Sequence, residues 1–454
     1  MTIGTAEKVV SESRLLTLLR EDSQAWMTSC ALDRPGLAVF DDFRPRWREG
    51  VRKQVKRLTK RARGMLEVLG GDALYSSLGD PAARRAALVA ELFRDHVISR
   101  NAGRLDVRAL QQQILERAGA PLSFEIALGQ PKRDAGGLKT AGPYADLAEL
   151  FAVGRLVALV ESVAELAEQP VSLAVRSGGE RFAAALVTDA WPREAYDAQR
   201  EQIAGFLADQ ASVTFSDFRQ SQVEDPRWPG FYAEELAALS AEAVTSRLHT
   251  MVMNVDWDNV FALALTGELI HGVPLSDALA LWLNEDLARI RLITRAGVSS
   301  LVNPRHQAAW REVIGDETAL EDGLAFVSAV AWEATRRYVA IHADDRRVAG
   351  AESSSIRLTV HEKKDKPAMP AILTLGARGG GLLSHHVLAV ADRRKPVEFL
   401  TVAEITVLAP EAVPVRFTGE GPFSWLDQQP LCFAHGTGEE VVRSIGAAVD
   451  PEQS

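Results

Sequence analysis

Apolar residues recur at three- and four-residue intervals over long stretches of the chain, which is the spacing that gathers them on one face of an α-helix. The pattern dominates the first 120 residues and returns between residues 232 and 341. The helices that it predicts lie at 13–20, 54–69, 82–93 and 105–117, and then at 234–251, 275–294 and 320–341. The chain therefore contains two predicted helical regions.

Between and after these regions, short runs rich in β-branched residues predict strands. Residues 171–175 and 212–215 are such runs, and the helices predicted at 146–166 and 193–207 have the length of crossover connections in a parallel α/β layer. Beyond residue 355 the predicted strands lie at 356–360, 371–375, 386–391, 397–402 and 413–417.

The order of these elements predicts an α/β fold class. We expect a Rossmann-like α/β core, preceded by an N-terminal helical region and completed by a C-terminal β-rich α/β portion. The predicted division is a helical region at 1–120, the α/β core at 121–231, a second helical region at 232–350 and the β-rich portion at 351–454.

Composition narrows the class of protein. Of the 454 residues, 47% are hydrophobic and 25% are charged, which excludes collagen-like, low-complexity and largely disordered chains. Cys30 and Cys432 lie far apart and outside any CxxC pair, so the sequence predicts neither a disulfide framework nor a thiolate zinc site. The first twenty residues lack the apolar core of a signal peptide, and no stretch has the roughly 18 uncharged apolar residues of a membrane span. We predict a cytoplasmic protein with no membrane partner.

One basic run, at residues 52–63, raises the question of nucleic-acid binding. The net charge of −10 argues against a nucleic-acid partner, because phosphate backbones are bound by an excess of Lys and Arg. The run also lacks aromatic residues on which bases stack. The alternative is a solvated helix face with Val55, Leu58 and Ala62 turned inward, and we expect no nucleic-acid partner.

A Gly-rich loop at 130–143 carries Lys132 and Lys139 and leads into a predicted helix. Backbone N–H groups and ammonium charges at such a position can bind a phosphate or carboxylate, although an ordinary surface loop has the same composition. The loop is not a P-loop, because GxxxxGK[ST] is absent.

Asp146 and Glu149 open the helix that follows, three residues apart and therefore on one face. Two carboxylates in this arrangement can act as an acid/base pair or as metal ligands. The same spacing is that of a capping box, in which the two side chains bond the free backbone donors of the first turn. The sequence leaves both interpretations open.

The predicted strand ending near Val175 is followed by Arg176, Ser177, Gly179 and Arg181. Ligands of open α/β sheets bind at the carboxyl ends of strands, and Arg binds phosphate or carboxylate through two hydrogen bonds. A plain turn is the alternative.

A later group combines Arg357 and His361 on one predicted strand with the pair His385 and His386. Alternation along a strand places Arg357 and His361 on the same face. Adjacent histidines on a strand would point to opposite faces, so we predict one proton-transfer imidazole beside a structural neighbour and no metal site.

Taken in order, several segments are similar to motifs of one family. They are Pro131-Lys132, Lys139 with Asp146-Leu147-Ala148-Glu149, Ser177-Gly178-Gly179, Arg357-Leu358-Thr359-Val360-His361 and Leu382-Leu383-Ser384-His385. In these segments the chain resembles the pyoverdine/dityrosine biosynthesis family, whose bacterial members include isonitrile synthases. Departures occur at Gly178, where the family has Asp, at Ser384, where it has Trp, and near Met369, where it has Lys.

The resemblance implies an enzyme that joins the α-amine of an amino acid to a carbon of ribulose 5-phosphate and forms an isonitrile in secondary metabolism. It implies small-molecule substrates and no cofactor, and it leaves a homodimer open. Anions would be bound by the basic and loop residues Lys132, Lys139, Arg176, Ser177, Gly179, Arg181 and Arg357, and protons would be moved by His361, His385, Asp146 and Glu149.

Three alternatives remain open at this point. A lysine of lowered pKa can form an imine with the ketose. The departures are also compatible with a divergent enzyme that modifies the amine in another way, such as N-formylation. The loss of Asp at Gly178 is compatible with a non-catalytic ligand-binding protein.

Overall fold

The computed structural model describes the chain at residues 36–69, 79–128, 140–177, 180–188, 190–209, 211–217, 228–285, 287–302, 306–348, 355–376, 382–392, 397–409, 411–415 and 429–436. The helix predicted at 13–20 lies outside these residues.

The N-terminal and core elements alternate helix and strand after a helical start. In chain order they are α1 (Gly36–Leu69), α2 (Pro81–Leu92), α3 (Val107–Leu115), β1 (Leu122–Ala127), α4 (Leu147–Ala167), β2 (Val171–Ser177), α5 (Glu180–Ala185), α6 (Ala190–Leu207) and β3 (Ser212–Asp217).

A helical stretch and a strand-rich end follow. The helices are α7 (Trp228–Ala238), α8 (Ala241–Met251), α9 (Trp257–Leu265), α10 (Asp277–Glu285), α11 (Leu287–Val302), α12 (His306–Ile314) and α13 (Glu317–Val348). The remaining elements are β4 (Ile356–Leu358), β5 (Leu388–Ala391), β6 (Glu398–Leu400), α14 (Val402–Leu408), β7 (Val413–Val415) and β8 (Cys432–Ala434).

The main sheet is parallel and has the order β3-β2-β1-β4. Residues of β1 alternate between a buried face, with Phe124 and Ile126, and a partly exposed face, with Ser123 and Glu125. On the buried face, the ring of Phe124 contacts that of Phe93 at the end of α2, with centres 5.8 Å apart, and the sheet packs against α4 through β2 and β3. This sheet confirms the predicted α/β class, and it includes β1, which the sequence patterns did not single out.

Helix α4 is the central helix of the core. Apolar residues cover most of its circumference, which is typical of a helix surrounded by protein. It packs against α1, α2 and α6 as well as the sheet. Glu168 ends it in the left-handed conformation at φ 53°.

The basic run belongs to α1, and its side chains divide as the solvated-face interpretation predicts. Val55, Leu58 and Ala62 are buried in the core. Three arginines of the same run make ion pairs with other elements: Arg52 with Asp209 at 2.7 Å, Arg61 with Asp95 at 3.1 Å and Arg63 with Glu165 at 3.0 Å. These pairs join α1 to the rest of the core.

Helices α8 to α13 form a second apolar core around Trp257, Phe261 and Val327. The continuous helix predicted at 234–251 is interrupted, so that prediction is wrong at its centre. Ser240 leaves the helical conformation and its hydroxyl accepts a hydrogen bond from Ala243 N at 3.2 Å. A serine that bonds the next turn in this way begins a new helix.

The C-terminal sheet has the order β6-β5-β8-β7, with β5 and β8 parallel and the other pairs antiparallel. Its helix α14 begins with a complete capping box, in which Thr401 and Glu404 bond each other's backbone N–H groups. Strand β6 is therefore shorter than the strand predicted at 397–402, and it ends just before this helix begins.

Two further strand predictions are corrected by the structure. The segment 371–375 makes only isolated bridges at Ala371 and Ile372 before a turn. The segment 386–391 begins with a 3-10 turn at Ser384–His386, and its strand starts at Leu388. In the part of the chain that the structure describes, no helix is long and apolar enough to cross a membrane. The four-part division of the chain stays a prediction.

Candidate functional site

The segment before α4 is fixed in place by two buried glutamines. Gln429 accepts a hydrogen bond from Tyr144 N at 2.9 Å and donates one to Tyr144 O at 2.7 Å. Gln199 accepts from Ala145 N at 2.8 Å, and Leu431 O accepts from Leu147 N at 2.9 Å. The start of α4 is therefore bonded both to α6 and to the C-terminal sheet.

Asp146 caps α4, as one of the two sequence interpretations predicts. Its side chain accepts hydrogen bonds from Ala148 N at 2.9 Å and Glu149 N at 3.4 Å. The capping box is half formed, because neither carboxylate oxygen of Glu149 has a hydrogen-bond partner among the described residues.

Glu149 is only 1% exposed. Burying a carboxylate without a hydrogen bond destabilises the folded protein. Natural proteins retain such groups mainly where a ligand or a proton-transfer step uses them. The N-terminus of α4 stabilises its negative charge. Glu149 is therefore a buried carboxylate that is available to bind a ligand or to accept a proton.

Helix α6 presents Tyr196 and Arg200 to Glu149. Both side chains are buried, and the Arg200 guanidinium lies 4.5 Å from the ring centres of Tyr196 and Phe215. Arg200 also forms an ion pair with Asp197. Burial lowers the pKa of Arg200, but the neighbouring charges outweigh it and the net shift is upward. Arg200 is a fixed cation beside the buried carboxylate.

The hydroxyl of Tyr196 stays protonated far into the alkaline range. Burial and then the negative charge of Glu149 raise the pKa of Tyr196 well above its ordinary value. A short-range interaction between the Tyr196 hydroxyl and the Glu149 carboxylate adds to this rise, although its geometry is not that of a normal hydrogen bond. A neutral hydroxyl and an acceptor-only carboxylate therefore lie side by side.

Cys432 also lies close to this cluster, at the start of β8. It is fully buried, and burial together with the charge of Asp146 raises the pKa of its thiol. A thiol that stays protonated is a poor nucleophile. Cys432 therefore contributes packing to the site.

The cluster lies where the start of α4, helix α6 and strand β3 meet, because Arg200 of α6 lies over Phe215 of β3 and Tyr196 lies beside Glu149. We call Asp146, Glu149, Tyr196 and Arg200 the α4 cluster.

Two of the predicted anion-binding arginines lie on the partly exposed face of the sheet. Arg176 donates to Ser216 Oγ at 2.8 Å and lies 3.5 Å from Glu125. Arg357 stands directly opposite Glu125 in the register of β1 and β4. Its half-buried guanidinium makes no hydrogen bond or ion pair with the described residues, so it remains available to an anion.

His385 lies on the α4 side of the molecule. It is buried in the 3-10 turn, and this turn packs against α4. Val387, just after this turn, also packs against α4, in a small apolar cluster that includes Ala148. The rings of His385 and His386 touch edge to face with centres 4.2 Å apart, which corrects the expectation that they lie on opposite faces of a strand.

His361 is separated from Arg357 by a bend, which corrects the prediction that both share one strand. Strand β4 ends at Leu358 because the Thr359 hydroxyl bonds both the N–H and the carbonyl of His361, at 3.1 and 2.9 Å. The imidazole is exposed. Partial desolvation and the positive charges of Lys363, Arg100 and Arg247 lower its pKa. His361 therefore belongs to a basic surface region.

The other predicted site residues are outside what the structure describes. These are Lys132, Lys139, Gly179 and the side chains of Ser177 and Arg181. Their roles stay predictions.

Sequence reasoning missed Tyr196, Gln199, Arg200 and Gln429. A signal for the first three was present: they fall on the stripe of α6 that continues with Ile203 and Leu207, which are buried. Polar side chains within an apolar helix stripe indicate a buried polar cluster. Gln429 has no such local pattern around it.

Comparison with solved structures gives a distant likeness. No protein-family model matches the chain, and no curated protein matches it. A solved structure that resembles it is that of the PvcA protein from Pseudomonas aeruginosa, with a TM-score of 0.44 and 17% sequence identity. The match covers 78% of this chain and 100% of that one.

Proposed function

We propose that the protein is an isonitrile synthase-like enzyme, which condenses the α-amine of an amino acid with ribulose 5-phosphate. The observation that carries the proposal is the buried, unbonded carboxylate of Glu149 within the motif Asp146-Leu147-Ala148-Glu149. The sequence resemblance supplies the substrate classes, and the geometry of the α4 cluster supports the chemistry.

The first covalent step of such a reaction is imine formation. The amine nitrogen bonds to the ketose carbonyl carbon, and the carbonyl oxygen leaves as water. This step needs a base that removes protons from the α-ammonium and an acid that protonates the departing hydroxyl. An ammonium group also satisfies a buried carboxylate by charge-assisted hydrogen bonds. We assign amine binding and deprotonation to Glu149.

The other roles follow from protonation and charge. Tyr196, held neutral, is suited to donate a hydrogen bond to the same substrate, and His385 is suited to supply the second proton. Arg357 is suited to bind one of the two substrate anions, because its guanidinium has no described partner and Arg binds such groups through paired hydrogen bonds.

The test is a panel incubation of purified protein with amino acids and uniformly ¹³C-labelled ribulose 5-phosphate. Any isonitrile is trapped with a tetrazine and measured by mass spectrometry. We expect an adduct that carries a single labelled carbon and requires the sugar phosphate. A formylated amino acid instead would replace the proposal with the N-modification alternative. If the folded protein binds an amino acid but forms no product, the proposal is replaced by the alternative of a non-catalytic binding protein.

A further inference from the structure

A cavity of about 300 Å³ lies on the opposite side of α4 from Glu149. The α4 residues that line it are Leu150, Phe151, Gly154 and Arg155. At about 100° per residue, these positions centre on the helix face opposite Glu149. The cavity is therefore distinct from the α4 cluster.

Most of the cavity wall is apolar, and part of it is aromatic. The apolar side chains that other segments contribute are Trp47 and Val51 of α1, Leu207 of α6, and Leu375, Val397 and Phe399. The rings of Phe151 and Phe399 meet edge to face with centres 5.6 Å apart. Aromatic rings prefer such edge-to-face or offset contacts, and a ligand ring can add to this pair in the same way.

The volume limits the size of the molecule that fits. An apolar cavity of about 150 Å³ holds one benzene ring. The cavity beside α4 has about twice that volume, so it can hold two fused rings. It also lies at the lower end of the range for small-molecule sites.

The cations of the wall already have compensating interactions. Arg61 pairs with Asp95 at 3.1 Å, and the charge of Asp95 also acts on Arg155. Arg57 has an interaction of its own. Burial and then the charge of Arg57 lower the pKa of Arg155 to about 10, so the group is still a cation at neutral pH. An anion entering here would lose its hydration without meeting an uncompensated charge, and this favours an uncharged ligand.

One hydrogen-bond donor of the wall is left to bind a ligand. Arg155 donates through Nε to Leu373 O at 3.3 Å and through Nη2 to Val97 O at 2.7 Å, which fixes the guanidinium in place. Its Nη1 makes no hydrogen bond with the described residues. Gly376 also lines the cavity, and a Cβ there would lie 3.1 Å from Nη1. The missing side chain of Gly376 therefore leaves space beside this donor.

We propose that this cavity binds an uncharged molecule of two fused rings that carries a carbonyl oxygen. The rings fill the apolar space against Phe151 and Phe399, and the carbonyl oxygen accepts a hydrogen bond from Arg155 Nη1. A bond from a charged donor is stronger than one between neutral groups. The ligand is neither an amino acid nor a sugar phosphate, so the inference does not depend on the proposed function.

The test measures binding of coumarin, an uncharged fused-ring lactone, to the full chain by titration calorimetry. Naphthalene, which has two fused rings and no acceptor, and 2-naphthoate, which adds a negative charge, are separate arms. Coumarin is also titrated at low and at high salt.

Two variants fill part of the cavity. In Gly154→Leu, the new Cβ meets Leu207 Cδ1 at 3.4 Å, an ordinary contact. Val397→Phe enlarges a half-buried residue of the wall, where the surrounding structure has room to adjust. Gly205→Leu on α6 is the control, because a Cβ there meets nothing within 4 Å and Gly205 does not line the cavity.

We expect coumarin to bind about tenfold more tightly than naphthalene, the effect of one hydrogen bond from a charged donor. Its affinity should be the same at both salt concentrations, because the ligand carries no charge for salt to screen. 2-Naphthoate should bind more weakly than coumarin. Both filling variants should weaken coumarin binding at least about tenfold, and Gly205→Leu should bind as the parent protein does.

Three results would overturn the proposal. They are equal affinity for coumarin and naphthalene, tighter binding of 2-naphthoate than of coumarin, and coumarin binding that a folded filling variant leaves unchanged. Circular dichroism of each variant establishes that it is folded, and either filling variant is sufficient for the test.

Discussion

The side-chain amide of Gln429 pairs with the backbone of Tyr144 as one strand pairs with another, accepting from its N–H at 2.9 Å and donating to its carbonyl at 2.7 Å. Both residues are buried, so neither backbone group has water as a substitute. This pair joins the segment before α4 to the C-terminal sheet. The position of Asp146 and Glu149 therefore depends on a residue almost 300 positions further along the chain.

Replacing Gln429 with Ala should lower the free energy of unfolding by about 2 to 4 kcal/mol, because two buried backbone groups lose their partners. Urea unfolding followed by tryptophan fluorescence measures the change. The control is Gln112→Ala, which removes an exposed side-chain hydrogen bond of 3.2 Å and should cost under about 0.5 kcal/mol. Equal losses for the two variants would contradict the role of the pair.

The backbone at Gly142 also passes close to the side chain of Gln429. A Cβ there would lie 2.3 Å from Gln429 Oε1, so Gly142→Ala forces the amide away and should destabilise the protein by about 1 to 3 kcal/mol. Gly119→Ala, with open space around it, is the control. In the double variant Gly142→Ala/Gln429→Ala the 2.3 Å clash with the amide oxygen is removed and only the 3.1 Å contact with the Cβ of residue 429 remains, so the two losses should not add. Simple additivity in urea unfolding would show that the two residues do not meet.

Glu149→Gln should reduce product formation at least about 100-fold, which is the usual effect of removing a general base. The substitution preserves size, and Glu165→Gln on the same helix controls for the loss of a carboxylate. The measurement is the initial rate of isonitrile formation in the trapping assay. A Glu149→Gln enzyme as active as the control would remove Glu149 from the chemistry.

Tyr196 should make stability fall steeply in alkaline solution. Its pKa is raised in the folded protein, so above about pH 10 the unfolded chain loses this proton while the folded chain keeps it. Proton loss on unfolding makes the free energy of unfolding decrease as pH rises. In Tyr196→Phe this decrease should be shallower by about 1.4 kcal/mol per pH unit. Urea unfolding at a series of alkaline pH values gives both slopes, and identical slopes would contradict the raised pKa.

Those parts of the fold that rest on local patterns were predictable. The strands at 171–175 and 212–215 and the helix at 146–166 coincide with β2, β3 and α4, because hydrophobic periodicity follows directly from which side is buried. The burial of Val55, Leu58 and Ala62 was also predictable, because they are the apolar residues of the basic run.

The misplaced elements share a physical cause. At Ser240 and Thr359 a side-chain hydroxyl bonds nearby backbone groups and ends or begins an element. Such bonds compete with regular structure without altering the hydrophobic pattern. Sequence reasoning that weighs periodicity more heavily than capping residues therefore extends elements too far.

The site was predictable only where its residues are close in sequence. Asp146 and Glu149 form a local motif, whereas Arg200 and Gln429 reach it through tertiary packing. Their importance depends on which polar groups become buried together, and no local spacing encodes that. The two predicted histidines were treated as one group, yet the bend after β4 places His361 on an exposed basic surface while His385 is buried against α4.

The bond between Gln429 and Tyr144 spans a sequence separation of 285 residues, and it has a consequence for synthesis on the ribosome. Chains fold from the N-terminus as they are made, and contacts between distant segments form late. Helix α4 and its parallel strands β1 to β3 can therefore assemble early, but the start of α4 gains its final anchor only after β8 has emerged. A nascent chain with a folded core therefore still lacks the contact that fixes the start of α4 and, with it, the final position of Asp146 and Glu149.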